Sequence, residues 1–178
     1  MLEELTISGL GVIENAAAEF DAGFTVLTGE TGAGKTMVVT SLHLLSGARA
    51  DGARVRAGAD KAVVEGRFRV GEAPADVADL LESTGALLDD DDTVIAARSV
   101  TAEGRSRAHL GGRSVPVGTL GGFTNSLLAI HGQNDQLRLV RPDHQRDALD
   151  RFGGKPVAKA RTAYDAARAR WGAAVDLL

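Results

Sequence analysis

The chain has no cysteine among its 178 residues. That excludes disulfides, thiolate metal sites and a cysteine nucleophile. It also lacks a basic excess: 20 Lys and Arg stand against 24 Asp and Glu, a net charge of -4. There is thus no bulk positive field for nucleic acid, and only a local patch could serve that purpose. No apolar run reaches the roughly 18 residues that a membrane span requires. The opening MLEELTISGL is acidic and too poor in apolar residues for a secretory signal. These absences set a cytoplasmic protein as the expectation. Apolar residues still make up 44% of the chain, enough for a sizeable core.

What is present is GETGAGKT, residues 29 to 36, in the pattern G-x-x-x-x-G-K-[ST]. It follows FTVLT (Phe24 to Thr28), a β-rich run expected to be a buried strand. It precedes MVVTSLHLLSG, which reads as a helix closed by Gly47. Strand, glycine loop and helix form the context that a phosphate-binding loop needs. Glycines let the backbone turn tightly and aim its N–H groups inward, and the helix adds its positive end. Lys35 would reach the outer phosphates as a mobile charge, and the Thr36 hydroxyl would ligate Mg²⁺. The candidate nucleotide contacts are Gly29, Glu30, Thr31, Gly32, Ala33, Gly34, Lys35 and Thr36.

Elsewhere the pattern is mixed. LTIS (Leu5 to Ser8) and AAAEF, ending at Phe20, read as strands, with a turn at Asp21 to Gly23. After a loop rich in Arg, Gly and Asp, KAVVEGRFRV alternates as a strand. PADVADLLESTG has helical spacing with Gly85 as C-cap, and Asp89 to Asp92 form a solvated acidic turn. TVIAARSV, SRAHL and RSVPV read as three short strands making a small antiparallel β-region. SLLAIHGQND reads as a further buried strand running into a loop. Pro142 and Asp143 open a helix that Gly153 and Gly154 stop. From Val157 apolar positions then recur at steps of three and four: Val157, Ala160, Tyr164, Ala167, Trp171, Ala174 and Leu178. This is the seam of a coiled coil, or of an amphipathic helix packing on its own domain. Lys159, Arg161, Asp165 and Arg168 fill the outside.

A phosphate loop alone does not choose an activity. A small kinase would suit the length, but its Mg²⁺ needs an acid at the end of an apolar strand. LLDDDD is the only acid cluster after apolar residues, and it ends a helical pattern. A GTPase would want N-K-x-D, which is absent. IHGQNDQ, residues 130 to 136, fits a loop whose neutral amide ligates Mg²⁺ and positions water, or else a polar loop with a local amide bond.

The stretches LTISGLGVIENAAAEFDAGFTVLTGETGAGKT, LLSGARAD, RSRAHLGGRSVPV and LLAIHGQNDQLRLVRPDHQRDALD resemble, in order and spacing, the N-terminal part of the RecN family of bacterial DNA repair proteins. That family lies within the SMC-like ABC ATPases. The resemblance implies an α/β P-loop fold: the N-terminal lobe of an ABC/SMC-type head, with an antiparallel β-region and a C-terminal helix starting a coiled coil. Residues 1–154 would be the ATP-binding half-head and 155–178 the start of a truncated coiled-coil arm. Gly29 to Thr36 would hold ATP with Mg²⁺. Gln133 matches the Q-loop glutamine and would act on Mg²⁺ and the attacking water, with Gln136 as the alternative. Arg54 and Arg56 resemble basic residues that face nucleotide or DNA in such heads, the plainer alternative being solvated loop charges. His131 adjoins the Q-loop, and His43 is expected to be a packed helix histidine.

The departures from the family pattern are an LSGG-type signature, a Walker B strand with its catalytic Glu, a D-loop and a switch His, all missing here. The chain is therefore expected to be a piece of a longer protein, near inactive alone and completed by a C-terminal half-head. The implied partners are that half-head, a second head in a homodimer, and DNA at double-strand breaks, with nucleoid association and no membrane. Two other functions stay open: a small P-loop phosphotransferase acting on a metabolite, and a non-catalytic assembly module using the terminal helix.

Overall fold

β1 (Leu2–Leu10) alternates as its sequence demands, Leu5 and Ile7 facing inward, Thr6 and Ser8 outward. In this computed structural model, which describes residues 1–30, 34–71, 74–130 and 142–175, β1 is a central strand. It pairs on one side with β2 (Ile13–Glu19) and on the other with β3 (Lys61–Arg69). β4 (Thr93–Thr101), β5 (Ser106–Leu110) and β6 (Arg113–Val115) continue the sheet. The order is β2-β1-β3-β4-β5-β6, with every pair antiparallel. The expected small β-region is thus half of a larger sheet, because KAVVEGRFR pairs with β4 along its whole length.

The inward positions of the sheet build one core with α1 (Lys35–Leu45), α2 (Ala75–Thr84) and α3 (Val117–Leu127). Phe68 of β3 meets Phe123 of α3 edge to face, 5.4 Å between centroids at 81°, a favoured aromatic geometry. Gly66 leaves room for it: a Cβ there would lie 2.8 Å from the Phe68 ring. α2 ends where its sequence says, at Gly85 in the left-handed region (φ 65°). The acidic turn before β4 is exposed, as expected.

Three expectations fail. FTVLT is not a buried strand: residues 24–30 carry no regular structure, and Phe24 is 93% exposed. A strand needs a ladder partner, and none among the described residues pairs with this run. RSVPV stops at Val115; Pro116 then starts α3, whose preorganised φ suits a helix entry. SLLAI is not a strand either: Ser126 and Leu127 end α3, and residues 128–130 are irregular. α3 escaped the sequence reading because Gly118, Gly121 and Gly122 are poor helix formers. Tertiary packing decides otherwise. A Cβ on Gly121 would lie 3.0 Å from the Ser46 carbonyl oxygen and 3.2 Å from Gly47 Cα, so glycine lets α3 approach the end of α1.

The chain divides into two compact units, Met1–Ile130 and His131–Leu178. In the second, α4 (Pro142–Val175) is two helical segments joined at Gly154, whose φ of 61° and ψ of -150° break the helix where the glycine pair predicts a stop. Arg161 pairs with Asp150 across the break at 2.6 Å. At the seam positions Tyr164 and Trp171 are exposed, while Leu178 lies outside the described residues. No helix among the described residues is long and apolar enough to cross a membrane.

Candidate phosphate-binding site

The start of α1 is built by one glycine and one lysine. Gly34 caps the helix in the left-handed region (φ 95°, ψ -3°), which glycine alone adopts cheaply. A Cβ there would also press within 3.3 Å of Ile13. No side chain caps the first turn and no acid sits in it, so its amide donors and the positive helix end keep no competing anion. Lys35 Nζ donates to the carbonyl oxygens of Gly29 and, at 2.6 Å, Glu30. The ammonium therefore lies folded against the loop that precedes it. Thr36 is exposed in the first turn.

Donors without an acid suit a polyphosphate. For a metal the situation differs. No group of three or more His, Asp or Glu among the described residues could hold an ion by itself. The Thr36 hydroxyl fits only a metal that is also carried by phosphate oxygens, the usual mode for Mg²⁺. Thr31, Gly32 and Ala33 lie outside the described residues, and so do Gln133, Gln136 and His131. The structure thus brings Gly29, Glu30, Gly34 and Lys35 together and leaves the glutamine loop to sequence alone.

Arg54 and Arg56 are not free loop charges. Asp51 caps a short 3-10 turn, Gly52–Arg54, by accepting from the Ala53 amide. Arg54 Nη1 donates to Thr40 Oγ1 on α1 at 3.1 Å. Arg56 Nη1 donates to the Val12 carbonyl at 2.9 Å, and the guanidinium lies 3.9 Å from Glu14. Both arginines tie the loop after α1 to elements flanking the phosphate loop. Between α1 and this loop runs a cavity of about 620 Å³, walled by Thr40, His43 and Arg54 over a floor of Leu10, Leu44 and Val100. His43 stands in that wall, half-buried on α1.

The acidic turn stands apart. Asp89 pairs with Arg67 at 2.6 Å, and Asp91 accepts from Thr93 Oγ1 at 2.7 Å. These groups sit by the strand ends where Leu2 pairs with Phe68 and Phe68 with Val94. Ile13, which touches the Gly34 position, pairs with Leu10 at the other end of β1. Nine residues of strand, about 30 Å, separate the two ends. A kinase-like use of Asp89 to Asp92 at the phosphate loop loses its geometry.

One residue near this machinery escaped the sequence reading. Arg98 is 3% exposed in the middle of β4. Its Nη1 donates to the carbonyl oxygens of Leu44 and Ala48, each at 2.7 Å, and its Nε to Ser106 Oγ at 3.0 Å. Burial pulls the guanidinium below the ordinary arginine pKa, though arginine stays charged in proteins. The signal was present: Arg98 shares its strand parity with Val94, Ala96 and Val100, an arginine on the apolar face.

Comparison with known proteins extends these observations. The AAA domain family matches residues 4–99, across the whole loop and α1. The DNA repair protein RecN of Mycobacterium bovis is 63% identical over 172 residues, covering 93% of this chain and 29% of that protein. RecN of Streptomyces coelicolor is 56% identical over 169 residues, with the same coverages. The chain thus spans less than a third of the length of these curated relatives. Among solved structures, the Smc head domain of Pyrococcus furiosus, with an extended coiled coil and bound to the C-terminal domain of ScpA, superposes with a TM-score of 0.63. It is 22% identical, covering 99% of this chain and 48% of that one, and shows the fold: the lobe of an ABC/SMC-type P-loop head. The chain belongs to the AAA domain family, and its close likeness there is to the bacterial DNA repair proteins named RecN.

Proposed function

We propose that this chain is the ATP-binding lobe of a RecN-like ATPase acting in DNA double-strand break repair and recombination. The observation that carries it is the 63% identity to RecN across 93% of the chain, with a built phosphate-loop helix inside the matched region. The backbone of Gly29 to Thr36 would cradle ATP. Lys35 would exchange the Gly29 and Glu30 carbonyls for phosphate oxygens. Thr36 would hold Mg²⁺, which when bound neutralises phosphate charge, and Gln133 would share the metal and orient the attacking water. Residues 1–154 then form the half-head and 155–178 the start of the arm.

Hydrolysis needs more than this chain. Phosphoryl transfer depends on positioning and charge stabilisation, and the loss of one well-placed donor costs about 10²–10³ in rate. The general base, a Walker B acid and a signature motif would come from a C-terminal half-head and a second head. The exposed Phe24, Val26 and Leu27 support that reading, because a strand-forming run without a ladder partner among the described residues suits completion by another polypeptide. The setting would be the cytoplasm, at DNA.

The test is phosphate release with Mg²⁺ and ATP across a concentration series. The chain alone is expected to give only trace turnover, and adding a polypeptide with the signature and Walker B motifs should restore it. Robust turnover by the chain alone, first order in protein, would sink the reading.

A further inference from the structure

Arg98 is the one fully buried cation among the described residues of the sheet, and it has no carboxylate partner among them. Desolvating a guanidinium is expensive, and neutral carbonyls alone are a poor return for stability. An apolar side chain of equal volume would serve the core better. What Arg98 does have is geometry. Its Nη1 alone bridges the Leu44 carbonyl, in the last turn of α1, and the Ala48 carbonyl, just past the helix. Its Nε is held by Ser106 on the neighbouring strand. A cation at the carbonyl end of a helix is favoured by the helix dipole. The phosphate loop lies at the amide end of that same helix.

We propose that Arg98 is a positioning residue for the phosphate loop: it fixes the carbonyl end of α1 to the sheet and so holds Gly34 and Lys35, at the amide end, against Gly29 and Glu30. The inference rests on the phosphate-loop reading above. α1 has 11 residues and is about 16 Å long at 1.5 Å per residue. It is short enough to move as a rigid rod, so a shift at Leu44 arrives at Lys35. Misplacement of about 1 Å in a binding constellation is enough to cost about two orders of magnitude in function. Leu44 and Leu45 also seat the carbonyl end of α1 in the core, without a directional bond, and Arg54 holds Thr40 in mid-helix only through a half-exposed contact.

The experiment measures ATP affinity of the 178-residue chain by calorimetry beside its unfolding midpoint. Arg98→Met keeps the volume and removes every donor; it should weaken ATP binding at least about tenfold. Arg98→Lys keeps the charge and a single nitrogen donor for the carbonyls but loses the Nε bond to Ser106, so it should recover part of the affinity. It also stands in should the methionine variant fail to fold. Ser106→Ala frees Nε alone and should cost a few-fold. The control is Val115→Ala, a core truncation on the edge strand, which should lower the midpoint without moving affinity. If Arg98→Met and Arg98→Lys bind ATP as tightly as Val115→Ala does, Arg98 is merely structural and the proposal is overturned. If Lys35→Ala binds as tightly as wild type, the phosphate-loop reading itself fails and takes this proposal with it. The two failures are told apart by which variant is silent.

Discussion

KAVVEGRFR and FTVLT have the same strand chemistry and opposite fates. The first is β3, paired on both sides, with Val64 and Phe68 wholly buried. The second lies open, with Phe24 93% exposed and no regular structure. β-propensity measures the fit of a side chain to a half-buried pleated surface, not a preference of the isolated backbone. β3 has such a surface because β1 and β4 flank it on both sides. FTVLT has none among the described residues, and it directly precedes the phosphate loop.

Truncation separates the two most sharply. Phe68→Ala removes a buried ring that packs on Phe123 and should cost about 3–5 kcal/mol of stability. Phe24→Ala should stay within about 0.5 kcal/mol of wild type, the usual range for a surface change. Denaturant titration of both variants reads the difference. A large loss at Phe24 would mean that FTVLT packs in solution, and the contrast would break.

The open region should instead show its importance in binding. Lys35→Ala removes the ammonium that would meet phosphate, and should cost about 2 kcal/mol or more of ATP affinity, over tenfold in Kd. Its unfolding midpoint should not move, because its present partners are two exposed loop carbonyls. Calorimetry with ATP and a parallel melt check both halves. Unchanged affinity would remove the phosphate-loop assignment.

Within the packed region, two glycines of α3 give a finer contrast. Gly118→Ala meets open space and should gain up to about 1 kcal/mol in helix propensity. Gly121→Ala gains the same propensity but drives a methyl to 3.0 Å from the Ser46 carbonyl. Overpacking of that kind costs about 1–3 kcal/mol, so a net loss near 1 kcal/mol is expected. The sign of the difference in unfolding midpoint decides whether α3 abuts the end of α1 as closely as described.

These contrasts also mark what the sequence could tell. Alternation disclosed β1, β3 and β4, because a one-sided apolar pattern is written in each strand's own residues however distant its partner. The glycine–lysine start of α1 was legible because phosphate-loop chemistry demands those residue types. α3 was not, since its glycines serve a contact with Ser46 and Gly47, some 75 residues earlier. Arg98 was visible as a parity violation, but its meaning depends on where the end of α1 falls. The fate of FTVLT depends on a partner the local sequence does not contain.

The smallest effect lies at the rim of the sheet, where pairing is good but burial is slight. Asp91 is fully exposed, yet its carboxyl is held below the usual aspartate range, chiefly by the hydrogen bond from Thr93 and less by Arg69. Thr93 itself is wholly buried and so presents its hydroxyl in a fixed direction. A carboxyl whose folded pKa is lowered contributes stability above its unfolded pKa, and that contribution disappears as the pH falls through the folded value. The acidic turn should therefore loosen only below the ordinary aspartate range, near and below pH 4. Thr93→Val keeps the shape and removes the donor. Carboxyl titration by NMR should then find Asp91 back toward the ordinary range, with Arg69 leaving a small residue of the shift. Because water screens the group, the stability difference between the two proteins should be slight at neutral pH. A Thr93→Val protein whose Asp91 titrates where the wild type does would show that the turn is held by its backbone bonds, Asp89 amide to Thr93 carbonyl among them, rather than by the hydroxyl.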